Sequence, residues 1–178
     1  MTKLTNLPLF NANGDLHVVI ETPRGSRAKL AYDPKLKAFV LRKDLLTGLT
    51  YPHDWGFAPS TKADDGDPLD VMVINDAATF PGVVLACRVI GILQIDQKRK
   101  NKSERNDRLF VVPRRSHSEH ALKDVRDLTS PILKELEQFF IATEDFEDKE
   151  LKVIGWHGPG AALDVVKAAA RSFAKNSK

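Results

Sequence analysis

Cysteine is almost missing from this chain. Cys87 is the only one in 178 residues, so no intrachain disulfide can form, and its place within the apolar run Val83 to Ile95 assigns it to core filling. Also missing is any apolar run long enough to cross a bilayer. The first ten residues carry no charged region followed by an apolar core, so no secretory signal is read and a cytoplasmic location is expected. No Walker glycine loop, no G-x-S-x-G and no Cys/His dyad is present, which leaves those catalytic schemes without their residues. Repeats, low-complexity tracts and linkers are absent as well. With 42% hydrophobic residues, the chain can bury one substantial core, and residues 1–178 are read as a single domain.

Carboxylates, by contrast, are unusually dense at one place. Asp64-Asp65-Gly66-Asp67-Pro68-Leu69-Asp70 carries four acids in seven residues and runs straight into the apolar Val71, Met72, Val73 and Ile74. Two like charges about 4 Å apart cost roughly 1 kcal/mol in water and roughly 4 kcal/mol at an effective dielectric constant of about 20, so partial burial calls for a counter-charge. In extended backbone Asp65 and Asp67 share a face, and Gly66 and Pro68 permit a bend that brings Asp70 to them. Such an all-oxygen site favours magnesium, manganese or calcium over zinc. The same residues also read as a solvated acidic turn, since Asp-Gly and Asp-Pro are common turn dipeptides. An EF-hand is excluded: with Asp65 first, the required glycine falls on Asp70 and the closing glutamate on Asp76.

The first half of the chain reads as β-rich. Leu16 to Thr22, Lys29 to Tyr32, Ala38 to Arg42, Val71 to Ile74, Val83 to Ile95 and Arg108 to Val112 are candidate strands, resembling a small barrel or strongly curved sheet. Ser130-Pro131 supplies a helix start, with Ile132, Leu133, Leu136, Phe139 and Phe140 as the apolar stripe. Leu151 to Ile154 follows as a strand. A last helix from about Pro159 turns Leu163, Val166, Ala170 and Phe173 inward. Between Gln97 and Arg108, six cations make a basic segment. It is read as a solvated loop, because no aromatic residues are interleaved for single-strand stacking, and nucleic acid is not expected as a partner. His117 and His120 are read as surface histidines.

Lys29, Arg42, Lys43 and Arg108 sit in or beside predicted strands, where barrel geometry can point them into a shared cavity with the acids. Cations opposite metal-binding carboxylates are what a phosphorylated or polyphosphate substrate requires. Tyr51-Pro52-His53-Asp54-Trp55-Gly56-Phe57, followed by Asp65-Gly66-Asp67-Pro68-Leu69-Asp70-Val71, resembles the signature of the soluble family I inorganic pyrophosphatases. The resemblance extends in order through Val18 to Pro23, Phe39 to Arg42, Cys87 to Gly91, Val111 to Pro113, His120 to Leu128 and Lys152 to Trp156. It implies an α+β fold, a five-stranded OB-like β-barrel with flanking helices. The implied activity is magnesium-dependent hydrolysis of pyrophosphate to two phosphates, in a homo-oligomer, commonly a hexamer in bacterial relatives.

Carried over by position, the resemblance makes Asp67 the acceptor of the attacking water's proton and Asp65 and Asp70 the ligands of the activating metals. Glu21 would bear on a metal arriving with substrate. Lys29 and Arg42 would bind the phosphoryl groups, Tyr51 and Trp55 would line the pocket, and Arg108 would bind phosphate where the family has lysine. Asp96 and Asp107 are the expected matches to two further family aspartates. Departures are several: Ala31 replaces a metal-binding glutamate, Trp55 a tyrosine, Asn106 an aspartate, and Thr143-Glu144 a phosphate-binding Tyr-Lys pair. A lost preorganised donor typically costs about 2.7 to 4 kcal/mol in the transition state. Two alternatives therefore stand beside the leading reading: a hydrolase of the same fold acting on another phosphorylated substrate, and a non-catalytic OB-like binding protein.

Overall fold

The computed structural model describes residues 3–99, 102–117, 121–144 and 149–176; His120 lies outside them. Among the described residues, nine strands and two α-helices follow one another: β1 Leu16–Thr22, β2 Ala28–Asp33, β3 Ala38–Asp44, β4 Asp54–Phe57, β5 Asp70–Val73, β6 Val84–Arg99, β7 Lys102–Arg105, β8 Arg108–Pro113, α1 Ser130–Glu144, β9 Lys149–His157 and α2 Pro159–Asn176. In the main sheet β1 pairs with β4, β4 with β5, β5 with β8, β8 with β6, and β6 returns to β1, closing a ring of five strands. Closure removes free sheet edges. Among the described residues, only the β5–β8 pair is parallel.

Strand alternation divides the ring's side chains into two cores. Val71 and Val73 join Leu109, Val111, Ile92 and the helix residues Ala162, Val166 and Ala169. Met72 and Ile74 face the other way and pack with Phe110, Val112, Leu93 and, from α1, Leu136, Phe139 and Phe140. The helices thus cover opposite faces. On α1 the expected stripe is buried from Leu136 onward, whereas Ile132 is exposed, lying beyond the sheet it would cover. On α2, Ala162 and Ala169 occupy the innermost positions with Val166, because small residues let the helix approach the ring closely.

Strand β4 has no counterpart in the predicted elements. It is short and contains Gly56, which the β1 contact requires: a Cβ there would stand 1.9 Å from the Val19 carbonyl oxygen. The expected basic loop is also largely strand. β6 runs through Arg99 and pairs with β7 on one side and β9 on the other, so backbone hydrogen bonds hold a segment whose side chains show no apolar alternation. Trp156 packs 4.9 Å from the Phe110 ring and donates its indole N–H to Glu137 at 2.7 Å. Cys87 is buried.

Candidate active site

Two of the candidate side chains stand where a strand carries an extra residue. On β1, Ile20 pairs with Gly56 and Thr22 with Trp55, leaving Glu21 as a bulge. In the β2–β3 hairpin, Lys29 pairs with Lys43 and Leu30 with Leu41, leaving Arg42 unpaired. Bulges re-aim side chains locally. Glu21 and Arg42 both turn into one cavity of about 330 Å³, which Lys29, Ala31, Trp55, Asp67 and Asp70 also line. Lys29 and Arg42 come from the separate two-stranded sheet, not from the ring, so the cations and the acids are carried by different parts of the fold.

The acidic turn is built by local bonds. Gly66 takes φ +93°, a conformation that glycine adopts without steric cost. The Asp67 N–H donates to Asp65 Oδ1 at 3.1 Å, and β5 then begins at Asp70. Asp65 and Asp67 are exposed and Asp70 is half-buried; Asp67 and Asp70 line the cavity, and Asp65 does not. Burial raises the Asp70 carboxyl above its usual range, with Arg108 and Lys29 opposing and Glu144 and Asp67 adding to the rise. Asp65 is raised in the same way, first by burial, against the Asp67 N–H bond, with Asp70 and Asp67 adding repulsion. Glu21 is pushed up to about 7, chiefly by burial, although it accepts the Tyr32 N–H at 2.7 Å. Asp70 and Glu21, which line the cavity, and Asp65 nearby are carboxyls whose charged forms are disfavoured, and a nearby hard cation would relieve them.

Among the described residues, no three acids, imidazoles or thiols converge closely enough to enclose an ion alone.

Arg108, expected to bind phosphate, does not line this cavity. It is 4% exposed, and its Nη1 lies 2.6 Å from Asp70 Oδ2. Asp96 and Asp107 are not brought to this cavity either. Both pair with Arg105, at 3.1 and 3.7 Å, and Asp107 also accepts the Ile95 N–H at 3.1 Å and lines a separate cleft against α2. The cause is the β6–β7 hairpin, whose register sets Asp96 opposite Arg105. Tyr51 is buried, packed edge-on to Phe139 at 5.1 Å; burial and the nearby Asp70 charge push its hydroxyl pKa up.

Asp54 is structural. At 1% exposure it accepts from the Arg24 N–H at 2.7 Å and from the Thr79 hydroxyl at 2.7 Å, tying two loops together. Thr143 and Glu144 are buried at the end of α1, where Lys43 Nζ donates to the Thr143 carbonyl and the Glu144 charge is felt at both Asp70 and Tyr51.

A closed five-stranded ring, with carboxylates at a strand mouth facing cations from a hairpin, defines a protein built to handle phosphate oxyanions beside a metal. The family model for inorganic pyrophosphatase matches residues 18–174, and this chain belongs to that family. It is 35% identical to the inorganic pyrophosphatase of Synechocystis sp., over 96% of this chain and 98% of that protein. It is 37% identical to that of Thermus thermophilus, over 94% and 96% respectively. The crystal structure of inorganic pyrophosphatase from Thermus thermophilus superposes with a TM-score of 0.87 at 34% identity, covering 97% of this chain and 99% of the other.

Proposed function

We propose that this protein hydrolyses inorganic pyrophosphate to two phosphates with magnesium, and that Asp67 takes the proton of the attacking water. The supporting observation is the single cavity that Asp67, Asp70 and Glu21 share with Lys29 and Arg42. Asp65 and Asp70 would hold the activating metal, with Glu21 at a metal that enters with substrate. Bound there, magnesium lowers the pKa of a coordinated water and neutralises developing charge on phosphoryl oxygens. Lys29 and Arg42 bind the two phosphoryl groups from the opposite wall, and the planar guanidinium favours a bidentate grip. Asp67 lines the cavity and is exposed, which supports its taking a proton and releasing it to solvent. No covalent intermediate is required.

Ala31 lines the same cavity, so the missing glutamate removes a donor from the site itself, and a lower rate than that of relatives with the complete set is expected. We also propose a homo-oligomer, consistent with the exposed Phe80, Leu36 and Leu41; sedimentation velocity would give its number. The decisive assay is phosphate release from pyrophosphate with magnesium by the wild type and Asp67→Asn at equal concentration. Release by the wild type that falls at least about 10²-fold in the variant is the expected result. Absence of release from folded, magnesium-loaded wild type would overturn the proposal.

A further inference from the structure

Three consecutive residues at the root of the acidic loop are each fastened to a different part of the fold. The loop, residues 58–69, joins β4 to β5 and carries Asp64, Asp65 and Asp67. Ser60 stands at φ +52°, a left-handed backbone that a non-glycine residue keeps only where its surroundings hold it. Its N–H donates to the Thr5 carbonyl and its hydroxyl to the Leu7 carbonyl, each at 2.8 Å. Thr61, 2% exposed, spans the neck of the loop: its hydroxyl donates to the Ala58 carbonyl at 2.7 Å and accepts the Leu69 N–H at 2.9 Å. The Lys62 N–H donates to the Ala169 carbonyl of α2 at 3.0 Å.

The neck bond prolongs the β4–β5 ladder. Phe57 pairs with Asp70, and the Ala58 N–H donates to the Leu69 carbonyl at 3.0 Å. The next bond, from the Leu69 N–H, goes to the Thr61 side chain in place of a backbone carbonyl, which a hydroxyl allows because it donates and accepts at once. Leu69 immediately precedes Asp70, so this clasp sets how far Asp70 stands from the acids of the tip. The tip keeps its own shape through bonds from the Ala63 N–H to the Asp67 carbonyl at 2.8 Å and from the Gly66 N–H to the Ala63 carbonyl at 3.1 Å. The neck is therefore where the tip can swing. Repulsion among the carboxylates favours the swing outward when no cation is bound.

We propose that Thr61 is a positioning residue for the metal site: its hydroxyl, with Ser60 as a second tie, holds the acidic loop closed against its own carboxylates, so that a cation meets acids already gathered. The proposal rests on the reading of this loop as the metal site. Where the closed loop is only a fraction of the population, the apparent affinity falls by that fraction. Removing the clasp weakens metal binding without removing a ligand.

The test is calorimetric titration of Mg²⁺ into the metal-free full chain, without substrate. The variants are Thr61→Val, Thr61→Ser, Ser60→Ala, Asp65→Asn and Asp70→Asn, each shown folded by circular dichroism. Thr61→Val, which keeps the shape of the side chain and loses the hydroxyl, is expected to bind Mg²⁺ at least about tenfold more weakly, and Thr61→Ser, which keeps the hydroxyl, to stay within about twofold of wild type. Amide exchange in metal-free Thr61→Val should quicken at residues 61–69 and slow again when Mg²⁺ is added, while β1 and β8 keep their protection. Equal weakening in Thr61→Ser and Thr61→Val would trace the effect to packing and overturn the clasp, as would faster exchange spread through the ring. Unchanged affinity in Thr61→Val, beside weakened binding in the two carboxylate variants, would overturn the clasp alone. Unweakened binding in both carboxylate variants would remove the metal-site reading and the proposal with it. Should Thr61→Val fail to fold, Ser60→Ala carries the test with an expected loss of about threefold, and no loss there would overturn the proposal.

Discussion

At Glu21 burial and charge conflict, and the conflict fixes how the metal-free protein responds to pH. The carboxyl is 9% exposed and its pKa stands at about 7, where an ordinary glutamate has 4.5. The folded form therefore holds a proton that the unfolded chain gives up. Stability from this group is complete below about pH 4.5 and is lost as pH rises through about 7. That shift corresponds to about 3 kcal/mol at full ionisation. Glu21→Gln is expected to flatten this loss, so that denaturant unfolding of metal-free protein at pH 8 shows the variant more stable than wild type by about 2 to 3 kcal/mol, and the two close to equal at pH 4.5. The variant should lose pyrophosphatase activity, because a neutral amide is a weaker metal ligand than a carboxylate. A wild type whose stability at pH 8 matches that at pH 5 would contradict the assignment.

Among the elements, the strands with strong β-branched alternation were legible, and those held by other means were not. Leu16–Thr22 and Arg108–Pro113 advertise themselves through Val and Ile. β4 does not, since Trp55-Gly56-Phe57 lies among Pro, His and Gly and owes its place to close contact with β1. The same limit applies to the site. The acidic run announces Asp67 and Asp70 through density alone, but the turning of Glu21 and Arg42 into one cavity depends on bulges, and a bulge leaves no mark in composition. Asp96 and Asp107 matched by sequence register but do not line the cavity: the β6–β7 register sets Asp96 against Arg105, and Asp107 is held by the Ile95 N–H and Arg105. Gly56 supplies the element-scale test. With 1.9 Å available before the Val19 carbonyl oxygen, Gly56→Ala must separate β1 from β4. A loss of about 3 kcal/mol is expected by analogy with overpacked cores, read as a lowered denaturant midpoint at unchanged slope. Because Glu21 and Trp55 flank this contact, activity should fall further than the unfolded fraction explains.

The molecule as a whole separates its charges between two bodies: the ring carries Asp70 and Glu21, and the β2–β3 hairpin carries Lys29 and Arg42. Ring and hairpin form separate sheets, so the distance between acids and cations depends on whatever fastens one to the other. Two ring residues provide that fastening. Glu21 accepts the Tyr32 N–H, and Thr22, fully buried, both donates its hydroxyl to the Leu30 carbonyl and accepts the Leu30 N–H, each at 2.9 Å. Tyr32 adds apolar packing against Phe57 and Phe39. Thr22→Val keeps the shape of the side chain while leaving the Leu30 N–H and C=O without their partner, at a cost of about 1 to 3 kcal/mol for each group that water cannot reach. The cheapest relief is for the hairpin to lift, exposing Leu30 and carrying Lys29 and Arg42 away from the acids. The expected result is a KM for pyrophosphate raised about tenfold with kcat changed less, together with faster amide hydrogen exchange confined to residues 28–44 while the ring strands keep their protection. Exchange that accelerates equally in β1 and β8 would show that the hairpin and the ring open as one unit, and that the separation of charges between them has no mechanical consequence.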